Sequence, residues 1–276
     1  MPSLLLPDRK AFLRWDEVGH GDRTVIWLPG IGFPALGNFL GTITDPAMPA
    51  LRSILVDPLG AGRSTPAGAL SLADHADTVA AVIDHIGAGP CAVVGYSMGG
   101  AIAAELTLRR PDLVERLILA EGNLLEGGGP GSRHMASVSA QDFAAELLPD
   151  MLAGLHEGAV AGDPVDDFIL ASWGRIDPAA LHDMARALVA IRPELEADVL
   201  SLSLPRAYIY GAQSLATPED RIARNLPDPD RLTAAGFHVL YQQGAGHDLM
   251  LRDPAAFATL IVPLLGPEPF SPAPPV

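Results

Sequence analysis

Short apolar runs recur along the chain, separated by polar, glycine-rich or proline-rich breaks. Runs that read as strands fall at 4–6, 10–15, 24–28, 53–56, 91–95, 116–120, 206–210 and 237–241. From the third onward they alternate with stretches at 71–87, 98–110, 217–226 and 253–265, in which apolar residues return at helical spacing. Ser71-Leu72-Ala73-Asp74 offers a serine cap with an acid three residues on, and Val79, Val82, Ile83 and Ile86 supply one apolar face before Gly87 stops the helix. Strands alternating with helices predict a mostly parallel sheet covered by helices. The first two runs, joined through Pro7-Asp8-Arg9, predict an antiparallel hairpin at one edge.

The alternation stops between 123 and 204. A loop, Gly127-Gly128-Gly129-Pro130-Gly131, leads into helical stretches at 140–155 and 178–191 that carry Leu147, Leu148, Leu152, Leu181, Met184, Leu188 and Ile191. Asp163, Asp166 and Asp167 read as a solvated loop rather than a metal site. The expected organisation is a core from 1–122 and 205–266, a helical insertion at 123–204, and a loose proline-rich tail at 267–276.

Composition narrows the function. With 276 residues, 49% apolar and 18% charged, one domain with a large core is expected. A net charge of −15 opposes binding to nucleic acid or to an anionic membrane surface. The single cysteine, Cys91, falls inside a predicted core strand, so no intrachain disulfide forms and a cytoplasmic location is expected. Leu4-Leu5-Leu6 before Pro7 is too short for a signal-peptide core or a membrane span. The expected partner is a small-molecule substrate.

The candidate chemistry centres on Gly95-Tyr96-Ser97-Met98-Gly99, which joins the run ending at Val94 to a small-residue helix beginning Gly100-Ala101-Ile102. A serine held on a sharp strand-to-helix turn exposes its hydroxyl, and the helix N-terminus beneath it favours developing negative charge. The hydroxyl attacks only if a base takes its proton. His247, in Gly244-Ala245-Gly246-His247-Asp248 after a late strand, is the best base in the chain. His238 lies on a predicted strand, and His75, His85, His134, His156 and His182 have no comparable setting.

These pieces resemble the α/β-hydrolase family over most of the chain outside the insertion. The resemblance rests on Pro29-Gly30, the Asp57-x-x-Gly60-x-Gly62-x-Ser64 segment, the elbow around Ser97, and Gly246-His247; Pro29 stands where the family usually has histidine. It implies an α/β-hydrolase fold with a helical cap over the site, a Ser97–His247–acid triad, and an oxyanion hole made by the main-chain N–H groups of Met98 and Ile31, with Gly32 as neighbour. No metal or organic cofactor is implied. Asp57 and Arg63 read as shaping their loop, and Ser64 as pinning a turn.

The acid is less direct. Many relatives place it after the strand corresponding to Tyr208-Ile209-Tyr210, yet no acid follows here until Glu219 and Asp220. Some relatives use the end of the preceding strand, where Leu117-Ile118-Leu119-Ala120 runs into Glu121. A carboxylate after an apolar strand needs a buried partner, and a histidine supplies one. Glu121 ranks first, Glu126 second and Asp220 third. The expected activity is hydrolysis of a small neutral or apolar ester, or a related acyl compound, through an acyl-enzyme. The alternatives are a ligand-binding protein with little or no turnover, and lyase, C–C hydrolase or cofactor-free peroxidase chemistry on the same residues.

Overall fold

The computed structural model describes residues 1–266. The expected tail at 267–276 lies outside the described residues. Eight strands form one sheet: β1 (Ser3–Leu6), β2 (Ala11–Val18), β3 (Thr24–Leu28), β4 (Arg52–Asp57), β5 (Cys91–Tyr96), β6 (Val114–Ala120), β7 (Arg206–Gly211) and β8 (His238–Gln242). Their spatial order is β1-β2-β4-β3-β5-β6-β7-β8. The two N-terminal strands pair antiparallel across a turn at Pro7–Arg9, and β2 pairs antiparallel with β4. All pairs from β3 and β4 onward are parallel. Together these strands and their flanking helices form an α/β-hydrolase fold.

Burial explains why the strands read differently. Strands β5 and β7, each flanked by two parallel neighbours, are buried along their whole length, so apart from Arg206 at the start of β7 they appear as apolar runs without polar alternation. Near the edge, β2 buries Ala11, Leu13 and Trp15 at every second position. Helices α2 (Leu72–Ile86) and α3 (Met98–Arg109) cover one face, where Val79, Val82, Ile83 and Ile102 meet Ile26, Ile54 and Val93. On the other face Phe39 of α1 (Ala35–Ile43) and Phe257 and Ile261 of α13 (Pro254–Ile261) meet Trp27, Leu55, Val94 and Ile209. Ser71 and Asp74 form the expected capping box of α2, and Gly87 closes it in the left-handed region at φ 61°.

Between β6 and β7 lie α4 (Pro130–Ala136), α5 (Ala140–Asp142), α6 (Leu148–Val160), α7 (Pro164–Trp173), α8 (Pro178–Val189) and α9 (Leu195–Leu200). After β7 come α10 (Pro218–Arg224) and α11 (Pro229–Ala234), and α12 (Leu249–Arg252) precedes α13. No helix among the described residues is long and apolar enough to cross a membrane.

Several elements depart from the sequence pattern for local reasons. The helical stretch expected at 140–155 is present and runs on to Val160, but it widens to a π turn over Phe143–Leu147, where Pro149 has no N–H to return to the preceding turn. The aspartates at 163, 166 and 167 do not form a loop. Asp163 caps α7 by accepting the N–H groups of Val165 at 2.8 Å and Asp166 at 3.4 Å, Pro164 opens the first turn, and the other two acids sit within that turn. Two glycines, Gly37 and Gly41, weaken the helical signal of α1, which packing of Ala35, Asn38, Phe39 and Thr42 restores.

Candidate active site

Strand β5 ends at Tyr96, and Ser97 turns the chain with φ 53° and ψ −117°, a strained conformation for a residue with a side chain. The turn is tight because backbone meets backbone around it. A Cβ on Gly99 would lie 2.1 Å from the Leu28 carbonyl oxygen, and one on Gly100 would lie 2.3 Å from the Gly122 Cα. Helix α3 therefore begins directly after the serine, in contact with the ends of β3 and β6.

The serine hydroxyl lies 3.0 Å from His247 Nε2, and His247 Nδ1 lies 2.7 Å from Glu121 Oε2. A carboxylate oxygen only accepts, so Nδ1 carries the proton and Nε2 is left to accept from the serine. Glu121 is wholly buried, follows the last residue of β6, and holds a positive φ of 42°. Its second oxygen accepts the N–H of Gly211 at 2.8 Å, at the end of the neighbouring strand. Both oxygens are thus satisfied, which is what a fully buried carboxylate requires.

Other contacts fix the histidine loop. The Tyr96 hydroxyl donates to the His247 carbonyl at 2.7 Å, and burial holds that phenol protonated, well above its ordinary range. Asp248 accepts the N–H of Gly246 at 3.0 Å and Arg252 Nε at 2.6 Å, and Arg252 also reaches Asp163 at 3.1 Å. Asn123, which the sequence reading did not single out, donates its N–H to the Ser97 carbonyl at 3.1 Å and places Oδ1 3.5 Å from the serine hydroxyl. Its one sequence signal is its position two residues past Glu121.

The N–H of Met98 opens α3, where helix geometry leaves it without an intrahelical acceptor. Ile31 follows β3 and lines the cavity in front of Ser97. Neither N–H meets an acceptor among the described residues. Asn38 Oδ1 accepts the N–H of Gly30 at 3.1 Å, and the Trp173 indole N–H donates to the Ile31 carbonyl at 3.0 Å, so the loop is held from both sides. Gly32 next to it has φ 71°.

The remaining singled-out residues lie elsewhere. Glu126 is exposed, and only its main-chain carbonyl is engaged, by Asn225. Asp220 closes the capping box of α10 with Thr217. Neither bonds His247. Asp57 is buried, accepting the N–H groups of Ala35 at 2.8 Å and Arg63 at 3.0 Å; burial raises its pKa against those bonds. The Ser64 hydroxyl donates to the Asp57 carbonyl at 2.6 Å. Burial pushes the Cys91 thiol up to about 12, which leaves no thiolate at neutral pH.

The cavity over Ser97 measures ≈ 320 Å³ and is walled by core residues such as Phe33 and His247 and by insertion residues such as Met135, Val165, Ile169 and Trp173. Its walls are mainly aromatic and aliphatic, with a few polar groups converging near the serine.

Comparison with known proteins agrees with this architecture. Residues 25–159 match the family described as alpha/beta hydrolase fold. The chain is 28% identical over 256 residues to a pimeloyl-[acyl-carrier protein] methyl ester esterase of Sodalis glossinidius (strain morsitans), covering 89% of this chain and 94% of that one. It is 28% identical over 228 residues to lipase LipV of Mycobacterium tuberculosis (strain ATCC 25618 / H37Rv), covering 80% and 86%. A carboxylesterase structure from the Thaumarchaeon Nitrososphaera gargenis superposes with a TM-score of 0.76 at 16% identity, over 96% of this chain and 97% of that one. With its strand order, elbow serine and family match taken together, the chain belongs to the α/β-hydrolase family.

Proposed function

We propose that the protein is a serine hydrolase of small, mainly apolar esters, working through an acyl-enzyme. The observation that carries this reading is the continuous relay from the Ser97 hydroxyl to His247 at 3.0 Å and from His247 to the buried Glu121 at 2.7 Å. A serine hydroxyl is too weak an acid to attack unaided, and here a base stands at hydrogen-bond distance with its tautomer set from behind.

In the first half-reaction Ser97 Oγ attacks the ester carbonyl carbon while His247 Nε2 takes the hydroxyl proton. The carbonyl oxygen becomes an oxyanion, received by the N–H groups of Ile31 and Met98; such a donor contributes about 3 kcal/mol in related sites. Collapse expels the alcohol, which receives the proton from His247. Water then repeats the sequence on the acyl-serine, giving up a proton to His247 and releasing the acid. Glu121 stabilises the imidazolium at both stages. The helices at 123–204 act as a cap that supplies the apolar wall and limits chain length. Relatives named as ester-cleaving enzymes support the class of reaction.

Treatment with a fluorophosphonate, followed by mass spectrometry, tests the assignment. Expected is one adduct on Ser97 that is absent in Ser97→Ala and strongly slowed in His247→Ala. No adduct on folded wild type would favour the reading as a binding protein. That alternative rests on the missing acid after Tyr210, and the contact between Glu121 and His247 removes its main ground. Product analysis separates ester hydrolysis from lyase or C–C bond chemistry.

A further inference from the structure

Besides Tyr96, whose buried phenol stays protonated, three ionisable residues line the cavity: His247, Asp248 and Arg224. The first is held by Glu121, and the second is neutralised by Arg252. Arg224 is half-buried and makes no hydrogen bond or ion pair with any described residue. Its acidic neighbours along the chain are engaged elsewhere, Asp220 in the cap with Thr217 and Asp228 with Arg221 at 3.5 Å. An uncompensated guanidinium is unexpected in a chain of net charge −15.

The backbone around Arg224 is fixed to the cavity wall. Asn225 adopts the left-handed conformation, φ 58°, and its Nδ2 donates to the carbonyls of Leu125 at 3.3 Å, Glu126 at 2.9 Å and Gly128 at 3.2 Å. On the other side Arg133 Nη2 donates to the Ala223 carbonyl at 2.7 Å. Both anchors lead to the segment at 125–133, in which the residues from Gly129 to Ser132 line the same cavity. The cation is therefore borne on a braced segment, which lowers the ordering cost of using it.

We propose that Arg224 receives a carboxylate at the far end of the substrate, so that the preferred ester is one whose acyl chain is apolar along its length and ends in a carboxylate. A planar guanidinium matches the two oxygens of a carboxylate, and the pairing strengthens where water is partly excluded. A phosphate monoester, with nearly two charges, would need further donors, and Arg224 is the only Arg or Lys lining the cavity among the described residues. An anchor on the acyl side holds through both half-reactions. This inference rests on the esterase reading and narrows its substrate from a neutral ester to one with an anionic end.

The test compares monomethyl adipate with methyl hexanoate, matched in chain length, on wild type, Arg224→Gln and Arg224→Lys. The ratio of kcat/KM for the charged ester over the neutral one falls at least about tenfold in Arg224→Gln, the change expected for loss of a charge-assisted bond. Lysine keeps the charge and loses the fork, giving an intermediate ratio, and it reads the contact independently if the glutamine variant does not fold. An unchanged ratio in the folded variants overturns the site and leaves the esterase reading standing. Calorimetry of monomethyl adipate on Ser97→Ala and on Ser97→Ala/Arg224→Gln separates the two claims. If wild type hydrolyses neither ester yet binding weakens about tenfold without Arg224, the carboxylate site stands and the esterase reading falls. Equal binding by both variants, or none by either, overturns the site.

Discussion

The indole N–H of Trp173 donates to the main-chain carbonyl of Ile31 at 3.0 Å, across the boundary between the insertion and the core. Trp173 ends α7, and its ring stacks on Phe33 with centroids 6.1 Å apart. The other end of the same helix begins at Asp163, which Arg252 joins to Asp248 beside His247. One helix of the insertion thus touches the loop proposed to bind the oxyanion and, through an arginine, the loop that carries the proposed base.

Replacing Trp173 with phenylalanine keeps the ring contact and removes the N–H. A neutral hydrogen bond is worth about 1 kcal/mol, so kcat on a small ester is expected to fall several-fold, with KM and melting temperature much less affected. Steady-state kinetics and a thermal melt check this. A loss of stability without a change in kcat would make the bond structural only.

Glu121→Gln is expected to lower turnover by about a thousandfold or more, as loss of the orienting carboxylate does in related triads. The glutamine oxygen can still accept the Gly211 N–H, so the fold is expected to survive, checked by circular dichroism. Glu126→Gln leaves turnover near wild type. Asp220→Asn weakens the α10 cap and costs about 1 kcal/mol of stability at most, without the kinetic loss. A large kinetic loss in either of these with little in Glu121→Gln would reassign the acid.

His75 gives a test by pH. Burial in α2 lowers its pKa to about 4, with Asp74 opposing the shift and Arg9 adding to it. The unfolded chain takes up the proton near pH 6.5, whereas the folded chain does so only near 4. Between those values the unfolded state binds more protons, so stability falls as the pH is lowered from about 6.5 to 4, by about 3 kcal/mol if this group dominates. Asp74 adds a second loss at lower pH. The Ser71 hydroxyl, then Arg9, hold it at about 2, so its contribution is present above about 4 and disappears towards 2. Urea midpoints at pH 7, 5.5 and 4 are expected to fall in wild type and to flatten over that range in His75→Gln.

Gly100→Ala is expected to destabilise the protein by about 2 kcal/mol or more, because its Cβ would meet backbone and not a side chain that can rotate away. Thermal or urea denaturation reads it. A neutral result would mean that α3 shifts freely against β6.

What the sequence made legible follows the range over which each signal acts. The elbow around Ser97 and the histidine loop are local patterns, each complete within a few residues, and the strands between them carry period and burial on their face. Glu121 could be ranked because a carboxylate ending an apolar strand demands a partner. Asn123, Trp173 and Arg224 gave no such signal. Their roles depend on which loops the insertion folds against, and that is decided by packing across long separations. The aspartates at 163, 166 and 167 show the same limit in a local form: their polarity suggested loop, while their positions around Pro164 made the first a cap and placed the other two in the first helical turn.

The contact of Gly100 with Gly122 joins the helix after Ser97 to the strand end before the insertion, main chain against main chain. The spacing between Ser97 and Glu121 is therefore set by parts that contain no side chains. Residues 124–204 do not enter that contact, so a change among them leaves it in place while disturbing the loops that Trp173 and Asp163 touch. For a protein engineer this joint is a fixed gauge between the two residues, whereas a graft of the helices at 123–204 has to rebuild the contacts of Trp173 and Asp163 with the core.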